Sequence, residues 1–196
     1  MGYRVRDILL AVIGLIVFSL LFVVLIPLLA LTQEQVFFIQ ERTGYRGRPF
    51  SLIKFSTLRN VRPGEPEEDD QLQRLTTIGK FLRRYSLDEL PQLLNVLKGE
   101  MSIVGPRPLL HSYAPLYTPE QRKRFEVRPG ITGWAQINGR NTISFTERFE
   151  LDCWYVRHRS FALDLKILWK TLQAAFSAKD VFSDEYTTSP KFDGNN

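Results

Sequence analysis

The chain has 196 residues, 44 % of them hydrophobic and 24 % charged, with a net charge of +5. That length suits one domain with an appendage, and the composition excludes a disordered chain. The positive balance favours anionic partners. The single cysteine, Cys153, excludes an intramolecular disulfide and leans towards a reducing compartment. His111 and His158 lie far apart without ligand neighbours, which sets a zinc site aside.

Arg4, Arg6 and Asp7 precede residues 8–31, a run free of charge and interrupted only by Gly14, Ser19 and Pro27. About 20 apolar residues span a bilayer, so this run belongs in a membrane. A secretory signal is the rival, but no small-residue cleavage site follows; Thr32-Gln33-Glu34-Gln35 is polar and bulky. Arg4 and Arg6 flank one end, and Arg42, Arg46 and Arg48 follow the other within about 17 residues, whereas a true crossing leaves one flank poor in Lys and Arg. A hairpin that returns to the same face fits this pattern. Ser19 and Pro27 are the candidates for its break, where freed carbonyls must find partners.

Residues 36–40 and Pro49–Phe55 read as strands joined by a turn at 45–48. Lys54, near the end of the second strand, reads by itself as a solvent-facing strand residue. Residues 60–70 follow as a loop ending in Glu67-Glu68-Asp69-Asp70, a solvated face or, as the other reading, a metal-recruiting one.

The centre of the chain is Arg83-Arg84-Tyr85-Ser86-Leu87-Asp88-Glu89-Leu90-Pro91, closed by Gly105-Pro106-Arg107-Pro108. Leu87, Leu90, Leu94 and Leu97 recur at helical spacing, which predicts a helix over 87–97 with that stripe buried. Ser86 is placed as its N-cap and Glu89 as the reciprocal residue of a capping box. Asp88 and Glu89 can thus serve only the helix end. The alternative is chemical. Arginines precede the pair, and Arg107 is restricted in direction by two flanking prolines. Arginines converging on a helix start make a phosphate site, and a carboxylate beside one can be a nucleophile or hold a divalent cation.

A helix is predicted over 119–126, with Arg122, Lys123 and Arg124 on it. Residues 128–141 carry Arg128, Thr132, Gln136, Asn138 and Arg140 among glycines that permit close backbone approach, so they form either a plain loop or a nucleotide- and sugar-contacting one. Amphipathic helices follow over 146–157 and Phe161–Ser177. Leu165, Leu168, Leu172 and Phe176 form a stripe on the second, which reads as core, while Trp154, Tyr155 and Trp169 also suit a membrane interface. Residues 183–196 are a polar tail.

Taken together, Ile53-Lys54-Phe55, Leu87-Asp88-Glu89-Leu90, Gly99-Glu100-Met101-Ser102-Ile103-Val104-Gly105-Pro106-Arg107-Pro108, Arg128-Pro129-Gly130-Ile131-Thr132-Gly133-Trp134-Ala135-Gln136, Asn138-Gly139-Arg140-Asn141 and Leu163-Asp164-Leu165-Lys166 stand in one order. With Arg4 and Asp7 before them, and Thr187-Thr188 and Phe192-Asp193-Gly194 after, the chain resembles the small monotopic phosphoglycosyl transferases over almost its whole length. These are the PglC-like members of the bacterial sugar transferase family.

The resemblance implies an α+β, mainly helical fold: a re-entrant membrane helix over 1–35, a compact cytoplasmic domain with a small β-hairpin and interfacial amphipathic helices over 36–182, and the polar tail over 183–196. It places that domain on the cytoplasmic face of the bacterial inner membrane. It implies transfer of a sugar 1-phosphate from a UDP-sugar to undecaprenyl phosphate with release of UMP, in ping-pong fashion. Carried onto this chain, Asp88 is the nucleophile that becomes the phosphoglycosyl-enzyme. Glu89 assists by proton handling or, with Asp88, through Mg2+. Lys54, Arg83 and Arg107 hold phosphates. Membrane lipids are further partners, and a homo-oligomer is compatible with it. An N-acetylated amino sugar such as UDP-diacetylbacillosamine is the expected donor, with UDP-glucose or UDP-galactose as the alternative. A non-catalytic scaffold binding anionic lipid is the other reading. Nucleic acid is set aside, because the basic residues form no interleaved aromatic patch. Two positions depart from the family pattern: Ser19-Leu20 replaces its mid-helix Ser-Pro, and Arg42-Thr43-Gly44 its Arg-Pro-Gly.

Overall fold

The computed structural model of the chain describes residues 2–61, 74–139, 143–177 and 192–194. Its apolar N-terminus forms two helices, α1 (Gly2–Val17) and α2 (Ser19–Thr32), bent by 63° at Phe18. Ser19 adjoins the bend and donates its hydroxyl to the Ile16 carbonyl at 2.7 Å, satisfying a group near the break. Pro27 does not make the break. It lies within α2, which continues through it at the cost of one hydrogen bond to the preceding turn. Among the described residues no single helix is long and apolar enough to cross a membrane, but the bent pair together passes that test.

Both arms of the pair rest on one body. The polar end of α1 is fixed in three places. Arg4 donates to the Val96 and Leu97 carbonyls at 2.5 and 2.8 Å, Asp7 accepts from the Ser102 hydroxyl at 2.6 Å, and Arg6 pairs with the buried Asp164. Farther along, Ala11 of α1 packs with Leu52, Leu93, Val96 and Met101, while Leu25 and Leu29 of α2 pack with Phe55 and Leu82. The opposite faces remain apolar and exposed, from Leu9 and Ile16 to Leu20 and Val23.

Strands β1 (Phe37–Thr43) and β2 (Pro49–Phe55) form an antiparallel hairpin, turned by Tyr45–Gly47 with Arg46 and Gly47 at positive φ. The first strand is longer than residues 36–40 because pairing runs on to Thr43↔Pro49. Lys54 is not solvent-facing. Side chains alternate along a strand, so Lys54 shares the face of buried Leu52, opposite Phe38, Gln40 and Arg42 of β1.

Helix α3 (Thr77–Arg84) is capped by Thr76, whose hydroxyl accepts from Gly79 N at 2.9 Å. The continuous helix predicted over 87–97 is instead a 3₁₀ turn, Leu87–Glu89, followed by α4 (Gln92–Lys98). Ser86 is left-handed (φ 53°) and caps nothing with its side chain. The capping box fails because Glu89 is drawn to cations described below. The change of helix type also shifts the phase, so Leu93 and Val96 are buried and Leu94 faces outward.

Strands β3 (Ser102–Val104) and β4 (Gly130–Thr132) pair in parallel. Their extensions approach so closely that a Cβ on Gly130 would collide with the Gly105 backbone, which is why glycine is needed there. Gly130 N donates to the Pro106 carbonyl at 3.0 Å, fixing the segment that carries Arg107. The helix predicted over 119–126 is present as a 3₁₀ helix, Gln121–Glu126.

Helix α5 (Trp134–Asn138) leads to α6 (Phe145–His158), whose Ser144–Glu147 capping box is complete, and to α7 (Phe161–Ser177). On α7 the inward side chains are Asp164 and Ile167, both fully buried, while Phe161, Leu165, Trp169 and Leu172 are 52–64 % exposed. Of the predicted stripe, Leu165 and Leu172 therefore face away from the core, while Leu168 is partly buried against Tyr155 and Ile167. Tyr155, placed by the sequence at an interface, is buried and donates to Asp164 at 2.7 Å. Of the tail, Phe192–Gly194 lies within the described residues, and Phe192 is buried against Tyr117 and Phe149.

Candidate active site

The 3₁₀ turn after α3 presents two carboxylates to the inner face of the hairpin. Asp88 is only 8 % exposed, and its Oδ2 lies 4.0 Å from Lys54 Nζ. Glu89 Oε1 accepts from Lys54 Nζ at 2.6 Å and from Arg107 Nη2 at 2.7 Å. Burial raises the Glu89 pKa, but the charges and hydrogen bonds of Arg107 and Lys54 outweigh it and hold the carboxyl well below the usual range. Glu89 is therefore an ionised tether between two cations from different parts of the chain.

Each cation is positioned by a nearby polar anchor. On α4, the fully buried Asn95 accepts from Ile53 N at 3.1 Å and donates to the Ser51 carbonyl at 2.7 Å, pinning the strand beside Lys54. On the other side, buried Arg124 donates to the Arg107 carbonyl at 2.7 Å. Two further arginines crowd this region. Burial and then the charge of Arg107 lower the Arg42 pKa to about 10, and the same two causes lower that of Arg148. Like charges gathered in a partly desolvated place favour an anionic ligand.

Of the residues predicted for the site, Asp88, Glu89, Lys54 and Arg107 come together. Arg83, on α3, donates Nε to the Thr57 hydroxyl at 2.9 Å. Arg128 instead donates to the Gly99 carbonyl at 2.8 Å, and Thr132 shares a 2.7 Å hydroxyl bond with Thr171. Gln136 donates to the Ile131 carbonyl at 3.2 Å, and Asn138 to that of Trp134 at 2.8 Å. None of these four bonds to the carboxylate pair or its cations. Arg140 and the acidic run at 67–70 lie outside the described residues.

Arg42, Arg124, Arg148 and Asn95 also belong to this arrangement, beyond the residues expected from the sequence. For Arg42 a signal existed: β1 alternation puts it on the face that β2 shares through Lys54. Asn95, a polar residue between Leu93 and Val96 on a buried helical face, also carried one.

The carboxylates suit magnesium in one respect. That ion takes one or two carboxylates, keeps its waters and completes its shell with substrate phosphates, a number of carboxylates that Asp88 and Glu89 match. Among the described residues no third His, Cys, Asp or Glu joins them in a cluster.

The family described as "Bacterial sugar transferase" matches residues 1–178. The sugar transferase EpsL of Bacillus subtilis (strain 168) is 52 % identical over 159 residues, covering 81 % of this chain and 79 % of that protein. The exopolysaccharide production protein ExoY of Rhizobium meliloti (strain 1021) is 38 % identical over 192 residues, covering 89 % and 85 %. The undecaprenyl-phosphate glucose phosphotransferase of Komagataeibacter xylinus is 38 % identical over 192 residues, covering 83 % of this chain and 35 % of that larger protein. Other relatives carry galactose in their names. The chain belongs to the bacterial sugar transferase family and is a phosphoglycosyl transferase.

Proposed function

We propose that this enzyme transfers hexose 1-phosphate from a UDP-hexose to undecaprenyl phosphate, with UDP-glucose and UDP-galactose as the first donors to test. The amino-sugar donor expected from the sequence gives way to a hexose because four relatives are named for glucose or galactose. The observation that carries the reading is the placement of Asp88 beside Lys54, next to a Glu89 held between Lys54 and Arg107.

In the first step an Asp88 carboxylate oxygen attacks the sugar-bearing phosphorus. The new Asp–O–P bond forms as the P–O bond to UMP breaks, and UMP leaves with that electron pair. In the second step a phosphate oxygen of undecaprenyl phosphate attacks the same phosphorus. The Asp–O–P bond breaks, restoring the carboxylate and releasing undecaprenyl-diphospho-hexose. Two polyanions meet at one carboxylate in turn, so fixed positive charge is the main catalytic requirement. Lys54 and Arg107 supply it. Glu89 is a positioning residue that keeps both cations aimed at the reacting phosphate. Magnesium, held by Asp88 and Glu89 with the donor phosphates, would add charge neutralisation of the diphosphate.

The bent pair α1–α2 is read as a re-entrant hairpin in one leaflet. Its outer faces are apolar, and both arms return to the same body. The exposed row Phe161, Leu165, Trp169 and Leu172 suits the interface of that leaflet. UDP-sugars are cytoplasmic metabolites, which puts the site on the cytoplasmic face of the inner membrane.

The test is UMP release from a panel of UDP-hexoses and UDP-amino sugars, with magnesium and undecaprenyl phosphate. UMP from UDP-glucose or UDP-galactose is expected. UMP from amino-sugar donors alone would return the donor to the first expectation, and none from any donor would remove the reaction.

A further inference from the structure

We propose that Arg124 is a positioning residue for Arg107, acting from a buried aromatic box. This rests on the reading of Arg107 as a phosphate ligand. Arg124 is 2 % exposed. Its Nε and Nη2 donate to Asp152 Oδ2 at 3.2 and 2.6 Å, its Nη1 to the Tyr117 hydroxyl at 3.3 Å, and its Nη2 also to the Arg107 carbonyl at 2.7 Å. The rings of Tyr117, Phe125 and Phe149 stand 5.1–5.8 Å from the guanidinium carbon. Phe192 closes the box, stacked on Tyr117 at 5.5 Å and edge-on to Phe149 at 5.0 Å.

The reason for so elaborate an anchor lies in the local sequence. Arg107 sits between Pro106 and Pro108, and proline has no N–H to donate. The segment is therefore held through its carbonyls. Pro106 O accepts from Gly130 N at 3.0 Å, Arg107 O from Arg124, and Pro108 O from Arg42 Nη1 at 3.5 Å. The bond from Arg124 is the shortest of the three and lies at the residue whose guanidinium reaches Glu89. The planar fork bonds Asp152, Tyr117 and the carbonyl from separate nitrogens; a lysine keeps the charge for Asp152 but carries all its donors on one nitrogen. Arg124 thus sets where Arg107 stands without touching the substrate.

The test is a double-mutant comparison on the full chain in lipid, measuring kcat and KM for UMP release from the active UDP-hexose together with thermal melting. Arg124→Lys should lower kcat/KM by about 10- to 100-fold, the scale of a displacement near 1 Å in a phosphate ligand. In an Arg107→Ala background the same change should cost less than about 2-fold, since its effect runs through Arg107. Phe192→Ala, which leaves every charge in place, should give a smaller loss, about 3- to 10-fold by the same logic, again absent without Arg107. It serves as the readout should Arg124→Lys fail to fold. Equal losses in both backgrounds would overturn the positioning role alone. Wild-type activity in Arg107→Ala itself would overturn the phosphate-ligand reading beneath it.

Discussion

Two charged centres flank Arg107, and they use the same chemical groups to opposite ends. At the cleft, Lys54, Glu89 and Arg107 keep side-chain exposures of 20, 13 and 35 %, so their fields reach a ligand. Around Arg124 and Asp152, whose side chains are each 1 % exposed, the charges are spent on one another, on Tyr117 and on a backbone carbonyl. An ion pair at a cleft is an instrument of binding. One sealed among aromatic rings is a structural joint, and breaking it strands a charge away from water. The two communicate through one residue, Arg107, whose guanidinium belongs to the first centre and whose carbonyl belongs to the second.

Substitutions can separate these roles. The largest effect is expected at Asp88: Asp88→Asn should lower UMP release by at least about 10³-fold while the protein melts near the wild-type temperature. Next, Glu89→Gln removes the tether of both cations and should cost about 10²-fold in kcat/KM.

Its pH signature has a definite sign. Arg107 and Lys54 overcome burial and depress the folded Glu89 pKa below the ordinary 4.5, so Glu89 adds stability above pH 4.5 that is lost as pH falls below it. Melting curves of wild type and Glu89→Gln should therefore converge on acidification. Divergence would place the tether elsewhere.

At the sealed centre, Asp152→Ala leaves Arg124 buried and unpaired by its carboxylate and should destabilise by about 3–5 kcal/mol in denaturant unfolding. A stability loss at Glu89 as large as that would erase the distinction between the centres. The smallest expected effect is at Gly79, where a Cβ would meet the Thr57 carbonyl; Gly79→Ala should cost about 1–3 kcal/mol and disturb the nearby Arg83–Thr57 bond.

The cleft centre was more legible in the sequence than the sealed one. Asp88, Glu89 and Arg107 announce themselves by adjacency, by neighbouring arginines and by flanking prolines, and the β2 strand carrying Lys54 was evident from its bounds. Arg124 and Asp152 are 28 positions apart, and neither carries a local sign that the other is its partner. Local rules also lost to charge at Ser86, where the cap pattern was present but Glu89 had stronger partners in Lys54 and Arg107. On α7 the apolar spacing marks a stripe but not which part of it is covered: Leu165 and Leu172 are exposed, while Leu168 packs against the core. A proline is no sure mark of a break either: α2 continues through Pro27, and the bend lies at Phe18 beside Ser19.

In the proposed mechanism Asp88 becomes covalently attached to the phosphosugar before the lipid arrives. The direct measurement is rapid-quench UMP release from UDP-glucose by stoichiometric enzyme with no undecaprenyl phosphate present, wild type beside Asp88→Asn, followed by peptide mass mapping. The mechanism predicts a burst approaching one UMP per enzyme, absent in the variant, with the added hexose phosphate on the peptide containing Asp88. UMP that appears only after lipid is added, with no modified peptide, would mean direct transfer between the two substrates and would contradict it.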